Sequence, residues 1–138
     1  KLLLEQLETI PMEIPGEKHD IALAAVSHLP HVVSAVLTNA VKEADDKIYP
    51  MPEGQENASR KDGLTSLTAG GFKDITRISS SSPSLWAEIS LENQKNILEL
   101  VENFQKGLEN YKKLLEAKDQ KGLEEFFQTA KTYRDSIL

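Results

Sequence analysis

HDIALAAVSHLPHVVSAVLTNAV, residues 19–41, decides how the rest of the chain is read. Its apolar residues recur as Ala22, Ala25 and Val26, Leu29, Val32 and Val33, Val36 and Leu37, and Ala40 and Val41. That is helical spacing, and the stripe is wide enough to be buried on more than one side. Polar groups interrupt it at one level, where Ser27, His28 and His31 gather around Pro30. A proline inside a helix has no N–H to give, so the carbonyl of Val26 loses its usual partner and a local break is expected. A buried helix with such a break, two histidines one turn apart and a hydroxyl has the make-up of a site wall.

Outward from this stretch, the chain alternates helical patterns with short breaks. Residues 1–10 read as the tail of a helix, and 11–16, with two prolines and a glycine, as a connector. His19 or Asp20 is the expected cap of the central helix, which should run to about Ala44. Residues 48–62 show no period and read as a loop. Residues 63–69 can form a short helix, which Gly70-Gly71 breaks, leaving the backbone free to turn or to approach a ligand. Phe72, Ile75 and Ile78 mark a further helical stretch over 72–79. Ser82 and Pro83 suit the cap and first position of another helix, with Leu85, Trp86 and Ile89 toward the core.

From Ser90 the pattern is regular. Ile97, Val101, Phe104, Leu108, Tyr111 and Leu115 form a heptad stripe. Lys95–Glu99, Glu102–Lys106 and Glu109–Lys113 are placed for i,i+4 pairs. Asp119 can cap a last helix that turns Leu123, Phe126, Phe127, Ala130, Tyr133 and Ile137 inward. No strand pattern or repeat is found, so the fold class is all-α. The two apolar helices carry more stripe than one small subunit can cover, so a homodimer with interleaved helices is expected.

The chain has 138 residues, 39% of them apolar and 28% charged, enough for an ordered domain with a core. Its formal net charge of −6 argues against a nucleic-acid surface. No apolar run approaches the roughly 20 residues of a membrane span, so no membrane partner is expected. The absence of cysteine removes thiolate chemistry and favours a cytoplasmic location. The start without methionine suggests a piece of a longer chain.

Two groups of residues could carry chemistry. His28 and His31 lie at i and i+3; they suit hydrogen bonding to an anion better than metal ligation, because no third ligand can be placed. Lys73 and Arg77, four apart with Asp74 beside them, form a basic pair in an acidic chain just after Gly70-Gly71. Arginine can hold a carboxylate by a two-pronged bond, and helix N-terminal amides would add partial positive charge. Solvated and core roles are the ordinary alternatives for these residues, and for Trp86, the sole tryptophan. No phosphate-binding, dinucleotide or nucleophile motif is present. The residues by themselves give an all-α domain with a cationic, anion-binding pocket and no chemical engine.

His19-Asp20, the run from Ala25 to His31, and the run from Gly70 to Ile78 with Ser82-Pro83 and Leu85-Trp86 resemble the C-terminal domain of prephenate dehydrogenases. The resemblance spans nearly all of 1–138 and implies a single helical domain like that of 6-phosphogluconate dehydrogenase. It implies a dimer and a preceding Rossmann domain that binds NAD and carries the catalytic histidine. The activity implied is oxidation of prephenate to 4-hydroxyphenylpyruvate with loss of carbon dioxide, in tyrosine synthesis. Arg77 then matches a carboxylate-gripping arginine. His28 and His31 match pocket histidines, and Lys73, Asp74 and Trp86 match residues lining or closing the entrance. Ala87-Glu88 departs from the Arg-Asp that follows the tryptophan in the family. Arogenate as substrate, or a purely structural dimerisation module, are the alternatives.

Overall fold

The computed structural model describes residues 12–50 and 63–138. The expected helix tail at 1–10 and most of the 48–62 loop lie outside these residues. The described residues form helices α1 (Gly16–Leu23), α2 (Leu29–Ile48), α3 (Gly70–Thr76), α4 (Pro83–Glu92), α5 (Gln94–Glu116) and α6 (Gln120–Ile137). A π-turn, Ala24–His28, joins α1 to α2, and 3₁₀ turns cover Leu64–Leu67 and Arg77–Ser80. Among the described residues there is no strand, in keeping with the all-α expectation. The chain divides into two compact units, one closing at Ile97 and one running from Leu98 to Leu138.

In the first unit α2 is the central element. It packs against α3 and against the Arg77–Ser80 turn, while α1 packs on the π-turn. The break expected at Pro30 is this π-turn. A wide turn takes up the missing proline donor without ending the helix, and such bulges gather at functional positions. Helix start and end differ from expectation. The N-cap is Pro15, with His19 N–H donating to the Pro15 carbonyl at 2.9 Å, so Asp20 lies inside the first turns rather than at the cap. The helix continues to Ile48 instead of Ala44.

The reason for the extension is Asp45. It is only 4% exposed, and its Oδ1 accepts a hydrogen bond from Leu64 N–H at 2.8 Å. A charged residue in the last turn thus ties α2 to the chain that returns at Gly63. Gly70 and Gly71 open α3 rather than break a helix, and a Cβ at either would meet nothing within 4 Å. Pro83 occupies the first turn of α4 as expected; Ser82 is its N-cap residue, but its hydroxyl pairs with that of Ser84 at 3.1 Å instead of capping the backbone. Leu85, expected inward, is 52% exposed.

The wide stripe of the central helix is left partly uncovered among the described residues: Val26 is 75% exposed and Val36 61%. By length and composition the helical run Gly16–Ile48 could cross a membrane, contrary to the expectation from uninterrupted apolar runs. Farther along the same helix the Ser34 and Thr38 hydroxyls are bonded to Ser79.

The second unit is a helical hairpin of α5 from Leu98 onward and α6. Tyr111, Phe126 and Phe127 form an aromatic cluster with ring centroids 5.4 to 6.1 Å apart. Asp119 caps α6 as expected, its Oδ1 accepting from Gly122 N–H at 3.0 Å. The α5 end is a Schellman turn, with Lys118 N–H to the Leu115 carbonyl and Asp119 N–H to the Leu114 carbonyl. Lys118 takes φ 53°, where glycine is usual. The heptad stripe is half-covered: Leu108 and Leu115 are each 54% exposed. None of the three expected α5 ion pairs forms. Among the described residues the i,i+4 pairs are Lys42–Asp46, Lys121–Glu125 and Lys131–Asp135. Exposed pairs of this kind stabilise too weakly to fix long side chains.

Candidate functional site

The site is built around Trp86 on α4. Its indole stacks on the His31 ring, with centroids 3.6 Å apart and planes 23° from parallel. The His28 ring meets the same indole edge-on at 6.0 Å and 77°. The two histidines predicted as a pair are therefore brought together through the tryptophan, one on its face and one at its edge.

Each histidine has a defined hydrogen-bonding state. His31 Nδ1 lies 2.9 Å from the Ser27 carbonyl, which only accepts, so Nδ1 carries the proton. That leaves Nε2 as the second polar atom of the ring for a ligand. His28 is 8% exposed, and its Nδ1 accepts from the Asn93 amide at 3.3 Å. The same amide donates to the Asp20 carbonyl at 2.7 Å, tying α1 to the start of α5. Burial lowers the His28 pKa from its ordinary value, the neighbouring His31 lowers it further, and Asp20 partly opposes both. His28 is therefore held neutral near pH 7.

A groove of about 470 Å³ opens beside the stack. Its walls are apolar, with Val32, Val36, Ile78 and Ala87 among them, and Ser79, Ser81, Ser90 and Asn39 supply polar groups. His31 and Trp86 stand on its wall. His28 instead lines a second hollow, with Asp20, Glu88, Glu92 and Asn93.

Lys73, Asp74 and Arg77 are exposed and line neither hollow. Among the described residues the groove is walled by apolar side chains and one imidazole, with Lys73, Asp74 and Arg77 outside its lining. In the Arg77–Ser80 turn it is Ile78 and Ser79 that line the groove, while Arg77 is exposed. Among the described residues Arg77 makes no hydrogen bond or ion pair, so its guanidinium is available.

Three features escaped the sequence reading. Asn93 sits at a helix junction, where asparagine ordinarily signals only a turn. Asp45 lies past the expected helix end, in a stretch with no motif around it. Ser34 and Thr38 did carry a signal: they are hydroxyls at i,i+4 inside an apolar stripe.

Solved structures share this architecture. The Synechocystis arogenate dehydrogenase structure superposes with a TM-score of 0.76 at 25% identity, over 99% of this chain and 45% of that one. The A. aeolicus prephenate dehydrogenase structure, in complex with hydroxyphenyl propionate and NAD+, gives 0.74 at 29% identity, over 98% of this chain and 45% of that one. Fold and site thus define a helical domain of the kind found in prephenate and arogenate dehydrogenases. Residues 15–129 match the family described as prephenate dehydrogenase, dimerization domain, and the chain belongs to that family. Prephenate dehydrogenase of Bacillus subtilis (strain 168) is 33% identical over 137 residues, 99% of this chain. The chain spans about a third of that relative's length.

Proposed function

We propose that residues 1–138 are the substrate-binding and dimerising C-terminal domain of a cytoplasmic enzyme that oxidises prephenate to 4-hydroxyphenylpyruvate with NAD, releasing carbon dioxide. The observation that carries the proposal is the His31–Trp86 stack at a groove, in a chain that belongs to the dimerization-domain family. Prephenate is a cyclohexadiene dianion. An aromatic and aliphatic wall suits its ring, and an arginine with no side-chain bond among the described residues suits a carboxylate.

In this scheme Arg77 grips a carboxylate and His31 offers Nε2 to a polar group of the ligand. His28, kept neutral, backs the edge of Trp86. Lys73 and Asp74 flank the entrance. The described residues include no strand and no glycine-rich turn that would cradle a dinucleotide, so they do not fit NAD by themselves. NAD, as hydride acceptor, is assigned to a separate N-terminal Rossmann domain, together with the catalytic histidine. The exposed apolar stripe around Val26 and Val36 is assigned to a second copy in a homodimer.

The test is NADH formation by the full-length protein with prephenate and, separately, arogenate. A kcat/KM higher for prephenate supports the proposal. Preference for arogenate would make the domain's substrate the amino analogue, and turnover of neither would leave a structural dimerisation module.

A further inference from the structure

Ser34, Thr38 and Ser79 form a closed hydroxyl relay on the floor of the first unit. Ser79 Oγ lies 2.6 Å from Ser34 Oγ and 2.9 Å from Thr38 Oγ1, and Thr38 Oγ1 donates to the Ser34 carbonyl at 2.8 Å. The carbonyl fixes the order of the protons. Thr38 spends its proton on Ser34 O, so it accepts from Ser79, and Ser79 accepts from Ser34. Each link polarises the next, and Ser34 is fully buried. Ser79 also stands on the groove wall, but its hydroxyl is bonded to Ser34 and Thr38, so the relay attaches α2 to the Arg77–Ser80 turn.

That turn is short, and it carries Arg77 two residues before Ser79. Ser81 closes it, with its N–H and its hydroxyl both donating to the Ile78 carbonyl, at 3.2 and 2.7 Å. Arg77 makes no side-chain bond among the described residues, so only its backbone sets where the guanidinium starts from. The backbone is held to α2 at Ser79 by the relay and, farther on, by Trp86 against His31. His31, Ser34 and Thr38 occupy successive turns of α2, so the same helix positions both the stacked histidine and the turn bearing the arginine.

We propose that Ser79 is a positioning residue for substrate binding: its relay to Ser34 and Thr38 sets the Arg77 turn at a fixed distance from the His31–Trp86 wall. This rests on the substrate-binding role proposed above for Arg77. Losing the Ser79 hydroxyl frees the turn, and the arginine then pays an ordering cost each time a carboxylate binds.

The experiment is steady-state kinetics of the full-length enzyme with Ser79→Ala, Ser79→Thr, Thr38→Val and Ser80→Ala, alongside thermal unfolding. Ser80 is exposed in the same turn and makes no side-chain hydrogen bond among the described residues, so it controls for the segment. Ser79→Ala is expected to raise KM for prephenate about tenfold, with kcat and the KM for NAD changed less than about twofold. Ser79→Thr keeps the hydroxyl and should restore KM. Thr38→Val removes the two hydrogen bonds of Thr38 Oγ1, to Ser79 and to the Ser34 carbonyl, without a cavity, but leaves Ser79 bonded to Ser34; it should raise KM by a smaller factor, which serves if Ser79→Ala does not fold. Ser80→Ala should match the parent. An active parent enzyme whose Ser79→Ala and Thr38→Val variants lose thermal stability but keep KM would overturn the positioning role alone. A parent enzyme inactive on prephenate and arogenate would overturn the functional proposal and this inference together.

Discussion

Gly63→Ala probes the contact that returns the chain to the end of α2. A Cβ on Gly63 would stand 2.7 Å from Asp45 Oδ1, 2.9 Å from Oδ2 and 3.1 Å from Cγ. Those atoms cannot swing freely, because Asp45 is buried and its Oδ1 holds Leu64 N–H at 2.8 Å. Either the carboxylate leaves that hydrogen bond or the backbone at 63–64 shifts. A hydrogen bond to a charged group contributes about 1.5–3 kcal/mol, so the substitution should cost about 2 kcal/mol. At about 4 °C per kcal/mol for a chain of this size, Tm should fall by roughly 8 °C. Urea unfolding followed by circular dichroism, at fixed protein concentration, gives the free energy directly. Asp45→Ala alone should cost a similar amount. The double variant should cost little more than Asp45→Ala, because the atoms that the new methyl meets are gone; the expected coupling is about 2 kcal/mol. A Gly63→Ala variant within about 0.5 kcal/mol of the parent, or strict additivity in the double variant, would refute the reasoning.

Three further outcomes are expected. Trp86→Leu removes the face on which His31 stacks and part of the groove wall, and should lower stability by about 2 kcal/mol in chemical unfolding, the half-buried indole costing less than a core one. Because the folded pKa of His28 lies below its unfolded value of 6.5, the unfolded chain takes up a proton first. Stability is therefore complete above pH 6.5, falls as pH drops below it, and levels off beneath the folded pKa. Tm measured across that window should show a slope that His28→Gln removes. Lys118→Gly relieves a left-handed lysine in the Schellman turn and should raise stability by about 1 kcal/mol, read as an upward shift in Tm.

Much of this fold was legible because its signals are local. Pro30 announced a break and the break is a π-turn; Pro83 and Asp119 stand at helix starts as their chemistry suggests. The pairing of His28 and His31 followed from spacing, and Trp86 joined them through the family resemblance. What is not legible in the sequence depends on distance along the chain. The role of Arg77 rests on the family resemblance, since spacing gives only a face shared with Lys73, and the structure leaves Arg77 exposed in a turn whose Ile78 and Ser79 line the groove. Asp45 reaches across 19 residues to Leu64, and Asn93 across 65 to His28, separations that no periodicity encodes. The relay at Ser34 was passed over because a small hydroxyl in an apolar stripe resembles tolerated surface.

The central claim is that this helical domain supplies the grip on a dianionic substrate, and Arg77→Ala in the full-length enzyme tests it most directly. Losing a charged hydrogen bond worth about 1.5–3 kcal/mol should raise KM for prephenate roughly 10- to 150-fold, with the KM for NAD unchanged. A KM for prephenate equal to that of the parent enzyme would contradict it.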